Sequence, residues 1–332
     1  MPPLEDWRPP SSAMNNGSTY SYMMVSDLER VDQWCLRIPL KNGEKVRQML
    51  INEGVLDRTL KPKHEGETIL FPITDWRERA ERCQFDPNSE RLDLPRHELI
   101  GGIAVMQEHD VDGAKRILTS RPSLHTVLFP TSEIGGQYRT RTFEVLAGTP
   151  TTRTQYIEYG HRFTIDLSTA YFSARLATER QRIVSLVEKD ERVLDLFAGV
   201  GPFAISLADR AMIVVASDIN PNAVSLMLEN ILQNRTRNVM AILADAKKLA
   251  DIIPWKFDRV IMNFPINGLT FLPIGFNFTR KGGSIHFYAL ISKENEHQDR
   301  IIELGGEIVT ERFIRSYSPT QWHTVYDIRK KE

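Results

Sequence analysis

The run Val193-Leu-Asp-Leu-Phe-Ala-Gly-Val-Gly-Pro-Phe203 constrains this chain more than any other stretch. It reads as an apolar strand, a glycine turn and the start of a helix. Gly199 and Gly201 lack a Cβ where the backbone must turn sharply and where a ligand must come close. Asp195, Phe197, Gly199, Gly201 and Phe203 alternate as a close-fitting nucleoside pocket requires. Asp218 closes the next apolar run, Met212 to Ser217, where a carboxylate can accept both hydroxyls of a ribose. The glycine pair alone is weak evidence, because Gly199-Val-Gly201-Pro-Phe-Ala204 also satisfies the loose fingerprint of a nicotinamide-dependent oxidoreductase.

From Val193 onward, apolar strands and helices alternate. Strands are predicted at Val193 to Phe197, Met212 to Asp218, Val239 to Asp245, Phe257 to Asn263 and Ser284 to Leu290, with helices near 202–209, 221–234 and 296–304. That rhythm predicts an α/β fold with a doubly wound, mostly parallel sheet. Two final strands, Glu307 to Ile314 and Trp322 to Ile328, have no long helix between them and predict an antiparallel edge. Such an ending favours a Rossmann-like methyltransferase sheet over a hydride-transfer one.

A chain of 332 residues is too long for one small core. The Pro- and Ser-rich residues 1–20 read as a flexible tail. Residues 33–76 read as a small α/β domain: strands Cys35 to Leu40 and Thr68 to Ile73, and a helix Glu44 to Glu53 closed by Gly54. Charge-dense residues 77–96, with Pro87 and Pro95, read as a linker. A second α/β domain is expected over 97–165, with apolar runs at Leu99 to Met106 and Thr126 to Phe129 and a helix starting near Asp112. It carries a strand from Gln137 to Gly148 that sets Arg139 and Arg141 on one face. A solvated edge strand explains that pair as readily as a site does. Residues 166–332 form the nucleoside-binding domain.

The formal net charge of −1 gives no global sign of a polyanionic partner, so any nucleic-acid surface has to be local. Cys35 and Cys83 are the only cysteines and sit outside any paired motif, so neither a disulfide framework nor a metal site is expected. No apolar run reaches the length of a membrane span, and a cytoplasmic location is the default.

Ligands of such sheets gather at the carboxyl ends of the strands. Asp245-Ala246 suits an adenine edge, the carboxylate accepting from the exocyclic amine; the same aspartate could equally cap the turn that follows. Asn263-Phe264-Pro265 closes the fourth strand, where an amide offers donor and acceptor to a base and Pro265 turns carbonyl oxygens inward, though a proline-stopped strand end would look alike. Between Ser173 and Val187, Glu179 and Arg180 lie on or beside the apolar stripe through Leu176, Ile183 and Val187. There they are either a structural ion pair or part of a site.

Taken together, Tyr138-Arg-Thr-Arg-Thr-Phe-Glu-Val-Leu-Ala-Gly148, Tyr171-Phe-Ser-Ala-Arg-Leu-Ala-Thr-Glu-Arg180 and Asp195-Leu-Phe-Ala-Gly-Val-Gly-Pro-Phe203 resemble the archaeal and eukaryotic tRNA (guanine-N1)-methyltransferases that act at position 37. The resemblance runs from about Trp34 to the C-terminus. It implies a monomer with a class I S-adenosyl-L-methionine domain preceded by two small RNA-contacting domains, and tRNA as partner. It implies Glu179 as general base, Arg139 as the stabiliser of charge on O6 and Asn263 as the residue holding the base. Arg180, Asp195, Phe197, Gly199, Gly201, Asp218, Ile219, Asp245, Ala246 and Asn263 would line the cofactor, and Tyr171, Pro265 and Arg141 the target nucleotide. The family usually reads Asn-Leu-Pro where this chain has Asn263-Phe-Pro265. Wyosine-pathway enzymes that transfer a methyl or aminocarboxypropyl group to the same nucleotide are the alternative; from other classes, a NAD-dependent oxidoreductase using Gly199 to Ala204 comes next, then a tRNA-binding protein that has lost activity.

Overall fold

The computed structural model describes residues 30–87 and 94–331, so the expected tail at 1–20 lies outside the described residues. The chain divides into two compact units, one ending at Asp93 and one beginning at Leu94.

In the first unit, β1 (Val31–Pro39) is followed by α1 (Gly43–Asn52), β2 (Lys63–Glu65), β3 (Thr68–Ile73) and β4 (Glu81–Phe85), which form an antiparallel sheet in the order β2-β3-β1-β4. Leu50 of α1 packs on Phe71 and Ile73 of β3, and Gly54 supplies the positive φ that ends the helix. The expected linker at 77–96 is corrected here. Residues 81–85 are a strand paired with β1 along Val31 to Cys35, and Phe85 is buried against Cys35 and Leu70. The high charge density concealed it, because the outward face of an edge strand is itself charged.

The second unit opens with β5 (His97–Ile100), β6 (Ile103–Met106), α2 (Val111–Ser120), β7 (Thr126–Pro130) and β8 (Phe143–Gly148), a sheet in the order β5-β6-β7-β8. The single apolar run expected at Leu99 to Met106 is a hairpin, folded back at Gly101-Gly102. Asp110 caps α2 by accepting from the Gly113 amide at 2.8 Å. The hairpin β9 (Arg153–Glu158) and β10 (His161–Asp166) comes next, then α3 (Ala177–Ser185).

There follow β11 (Arg192–Asp195), α4 (Pro202–Ala208), β12 (Ile213–Asp218), α5 (Pro221–Gln233), β13 (Val239–Leu243), β14 (Phe257–Met262), α6 (Gly268–Phe278), β15 (Thr279–Ile291), α7 (Gln298–Glu303), β16 (Gly306–Ser318) and β17 (Gln321–Lys330). They build a seven-stranded sheet in the order β13-β12-β11-β14-β15-β17-β16. Neighbours from β13 to β15 run parallel, and β17 pairs antiparallel with both β15 and β16. The doubly wound sheet and its antiparallel edge are therefore as the alternation predicts.

Alternation along each strand divides the core between the two faces. Val193, Val214 and Ile261 join the cluster that includes Phe203 and Leu226 of α4 and α5. Leu194, Val215 and Val260 join the one that includes Leu272 and Ile301 of α6 and α7. Ile103, Val105 and Leu128 share the first of these clusters, so no break in the packing marks the boundary expected at 165/166. Helix α6 was not expected. It is apolar nearly all round and contains Pro273, so it has no polar stripe to reveal a helical period.

Candidate active site

The carboxyl ends of β11, β12, β13 and β14 converge on one cavity of about 250 Å³. After β11 the chain bends at Gly199 and Gly201, with φ of +56° and +88°, which favour glycine. Their roles differ. A Cβ on Gly199 would come no closer than 3.6 Å to the Tyr171 carbonyl, and this residue lines the cavity. A Cβ on Gly201 would lie 2.9 Å from Met227 Cγ. Gly201 is thus required by the packing of α5, and does not line the cavity. Asn230 fixes the same bend from below, its side-chain amide donating to the Val200 carbonyl at 3.0 Å and to Thr164 O at 3.1 Å. Sequence reasoning missed this residue, although an Asn set among the buried apolar residues of α5 was the available signal.

Asp218 lines the cavity at the end of β12, held by the amides of Gly199 at 2.7 Å and Asn220 at 2.9 Å. Burial raises its carboxyl above the ordinary range, and those amides offset part of the rise. Asp195 lies beneath, 1% exposed, with no well-aligned donor to either oxygen. Burial pushes its carboxyl up to about 8, the Phe197 amide counters this, and the Asp218 charge adds to it. Asp195 is therefore a floor of the site that does not line the cavity. Asp245 both lines the cavity and caps the turn after β13, accepting from the Lys247 amide at 3.0 Å. Ile219, Ala246, Phe197 and Asn263 complete this side.

These residues fit S-adenosyl-L-methionine. Asp218 offers a fixed carboxylate to a ribose, Asp245 and Ala246 an edge to adenine, and Gly199 a surface without a side chain. Beneath them, the two buried oxygens of Asp195 have no well-aligned donor.

The opposite wall carries Tyr171, Arg180, Arg139 and Phe264. The strand expected at Gln137 to Gly148 is shorter, because Gly135-Gly136 turns the chain back and only Phe143–Gly148 pairs with β7. Gly135 N donates to Thr140 O at 3.0 Å, and Arg139, at φ +54°, occupies the tip. Arg139 and Arg141 consequently no longer share a strand face: both line a second cavity, and Arg139 alone of the two also lines the first. The Arg139 guanidinium sits 4.7 Å from the Tyr171 ring centroid and 5.8 Å from that of Phe264. Arg141 lies over Phe143 at 5.1 Å and does not reach the first cavity. Phe264 stacks on Phe197 at 5.0 Å, and Phe271 meets both edge-on.

Glu179 and Arg180 are both buried, as their place on the stripe predicts, yet they do not pair with each other. Arg180 binds the carboxylate of Glu158, Nε to Oε1 at 2.6 Å, and donates to Ser173 O. Glu179 does not line the cavity. Its carboxylate accepts from Arg182 Nε at 2.9 Å, Arg182 Nη2 at 2.7 Å and the Tyr288 hydroxyl at 2.9 Å. Pro265 also lies off the cavity, and its carbonyl accepts from Leu290 N at 3.1 Å instead of facing inward. Elsewhere, ligand atoms of Cys35, Glu81 and Cys83 come within 4.8 Å of one another across β1 and β4. No sequence motif announced that approach, and Glu81 is already engaged by Arg37 at 2.8 Å.

Comparison with known proteins agrees with this geometry. Residues 154–313 match the TRM5/TYW2 methyltransferase domain and residues 35–81 the tRNA methyltransferase 5 N-terminal domain. The tRNA (guanine(37)-N(1))-methyltransferase Trm5b of Pyrococcus abyssi is 36% identical over 89% of this chain and 98% of its own length. Its crystal structure superimposes with a TM-score of 0.72 at 33% identity, covering 90% of this chain and 100% of that one. A complex of aTrm5 with tRNALeu gives 0.68 at 28% identity, covering 89% and 99%. A tRNA(Phe) (4-demethylwyosine(37)-C(7)) aminocarboxypropyltransferase from Methanocaldococcus jannaschii is 30% identical over 70% of this chain and 97% of its own length.

Proposed function

The chain belongs to the TRM5/TYW2 methyltransferase family, and on that premise we propose that it transfers the methyl of S-adenosyl-L-methionine to N1 of guanine 37 in tRNA. The observation that carries this reading is the Arg139 guanidinium held against Tyr171 in the same cavity as Asp218 and Gly199. A cation for an oxyanion thus shares one cavity with a nucleoside pocket. When bound, the cofactor supplies an electrophilic methyl on a sulfonium.

The other tasks fall to the chain. Guanine N1 carries a proton at neutral pH, so a base must remove it while negative charge gathers on O6. Arg139 is the group for O6, and Asn263 offers donor and acceptor to the base edge. Tyr171 presents a ring face to a base that has left its stack. Glu179 is the proton acceptor on this reading. It neighbours Arg180, which lines the cavity, and to act it must exchange its Arg182 contact for the base. The two small domains before the seven-stranded sheet contact the RNA, and the enzyme works as a cytoplasmic monomer, in keeping with the resemblance and with two free thiols.

Glu179→Ala is expected to keep S-adenosylhomocysteine binding and to lose at least a hundredfold in single-turnover methylation of a tRNA transcript. A wild-type rate would remove Glu179 from the mechanism. Nucleoside mass spectrometry of the product distinguishes methyl from aminocarboxypropyl transfer and from no product.

A further inference from the structure

A second cavity, of about 220 Å³, shares Arg139, Tyr171, Phe172 and Ser173 with the first. Its polar lining is dominated by arginines: Arg139, Arg141, Arg175 and Arg315, against the single acid Glu98. Arg175 takes both oxygens of Glu98, at 3.0 and 2.9 Å. Among the described residues, the side chains of Arg139, Arg141 and Arg315 have no ion-pair partner. The Nε atoms of Arg139 and Arg315 are buried and without an acceptor.

The neighbouring His323 does not relieve this excess. It is buried with neither ring nitrogen partnered, and burial, then Arg315 and Arg139, push it down to about 4. Three cations facing one concavity without a counter-charge repel one another, so an anion bound there is strongly favoured. Guanidinium forks match phosphate oxygens in geometry. A net charge of −1 for the whole chain makes this a local feature.

Resting on the methyltransferase reading above, we infer that this second cavity seats a backbone phosphodiester of the tRNA at the nucleotide whose base enters the first. Arg141 and Arg315 supply the phosphate contacts, and Arg139 is shared between the cavities. A phosphate contact fixes register without reading sequence. Holding the backbone beside Tyr171 keeps the extruded base from swinging back into its stack.

The test uses the full chain, a tRNA transcript and a series of salt concentrations, with Arg141→Gln and Arg315→Gln. Each variant is expected to raise the KM for tRNA about tenfold and to lower the slope of log KM against log salt by about one. Turnover at saturating tRNA should change much less, and S-adenosylhomocysteine affinity should hold. Arg141→Lys and Arg315→Lys keep the charge and should restore most of the slope, and they carry the test if a glutamine variant loses cofactor affinity through misfolding. Wild-type KM and salt slope in both glutamine variants would overturn the subsite, as would lysine variants that bind cofactor yet lose the slope as fully. A wild-type enzyme that leaves the transcript unmethylated would overturn the methyltransferase reading itself, which separates the two failures.

Discussion

Phe264 stands where the resembling family usually has leucine, and its ring does what leucine cannot. It stacks on Phe197 and gives the Arg139 guanidinium a second aromatic ring besides Tyr171, at 5.8 Å. Arg139 itself adopts a left-handed backbone at the tip of its turn, a conformation that an arginine holds only when its surroundings favour it. Phe264→Leu should therefore loosen Arg139 by about 1 kcal/mol of cation–π contact, roughly a fivefold loss in single-turnover rate. An unchanged rate would show that Tyr171 alone holds the guanidinium. The pattern Asn263-Phe-Pro265 was visible in the sequence, but the partner of the ring was not, because Arg139 is 125 positions away along the chain.

At the level of the element, α3 is tied to the far edge of the sheet through charge. Arg182 bridges Glu179 to Asp327 of β17 at 2.7 Å, and Asp327 accepts from His286 of β15 at 2.6 Å. Burial alone would raise the Asp327 carboxyl, but His286 and Arg182 hold it well below the usual range. Arg182→Met should remove the guanidinium from two buried carboxylates, leaving Glu179 only the Tyr288 hydroxyl and Asp327 only His286 and Thr310, at a cost of about 3 kcal/mol of unfolding free energy. Chemical denaturation measures it, and a loss below about 1 kcal/mol would mean water replaces Arg182 at no great cost. The stripe through Leu176, Ile183 and Val187 was enough to bury Glu179 and Arg180. It could not show that their partners come from β9, from one turn further along α3 and from β15.

For the whole molecule, acid sensitivity follows from histidines kept neutral by burial. His323 is pushed down to about 4, by burial first and then by Arg315 and Arg139, whereas an unfolded histidine titrates near 6.5. Below about pH 6.5 the unfolded chain takes up a proton that the native state refuses, so stability is lost as pH falls from about 6.5 towards 4. Near pH 5 the His323 contribution amounts to about 2 kcal/mol. The melting temperature of His323→Gln should accordingly fall less between pH 7 and pH 5 than that of the wild type. Equal falls would assign the acid sensitivity elsewhere. The sequence by itself determined the class of sheet, its antiparallel edge and the strand ends that hold the cofactor side, because continuous apolar runs punctuated by glycine and aspartate are local patterns set by chain geometry. Only the tertiary structure decided that Gly201 serves helix packing, that Pro265 turns its carbonyl to β15, that residues 81–85 are a strand, and that Glu179 rests in the grip of Arg182. Each of these depends on which distant side chain fills the adjoining space, and periodicity along the chain carries no record of that.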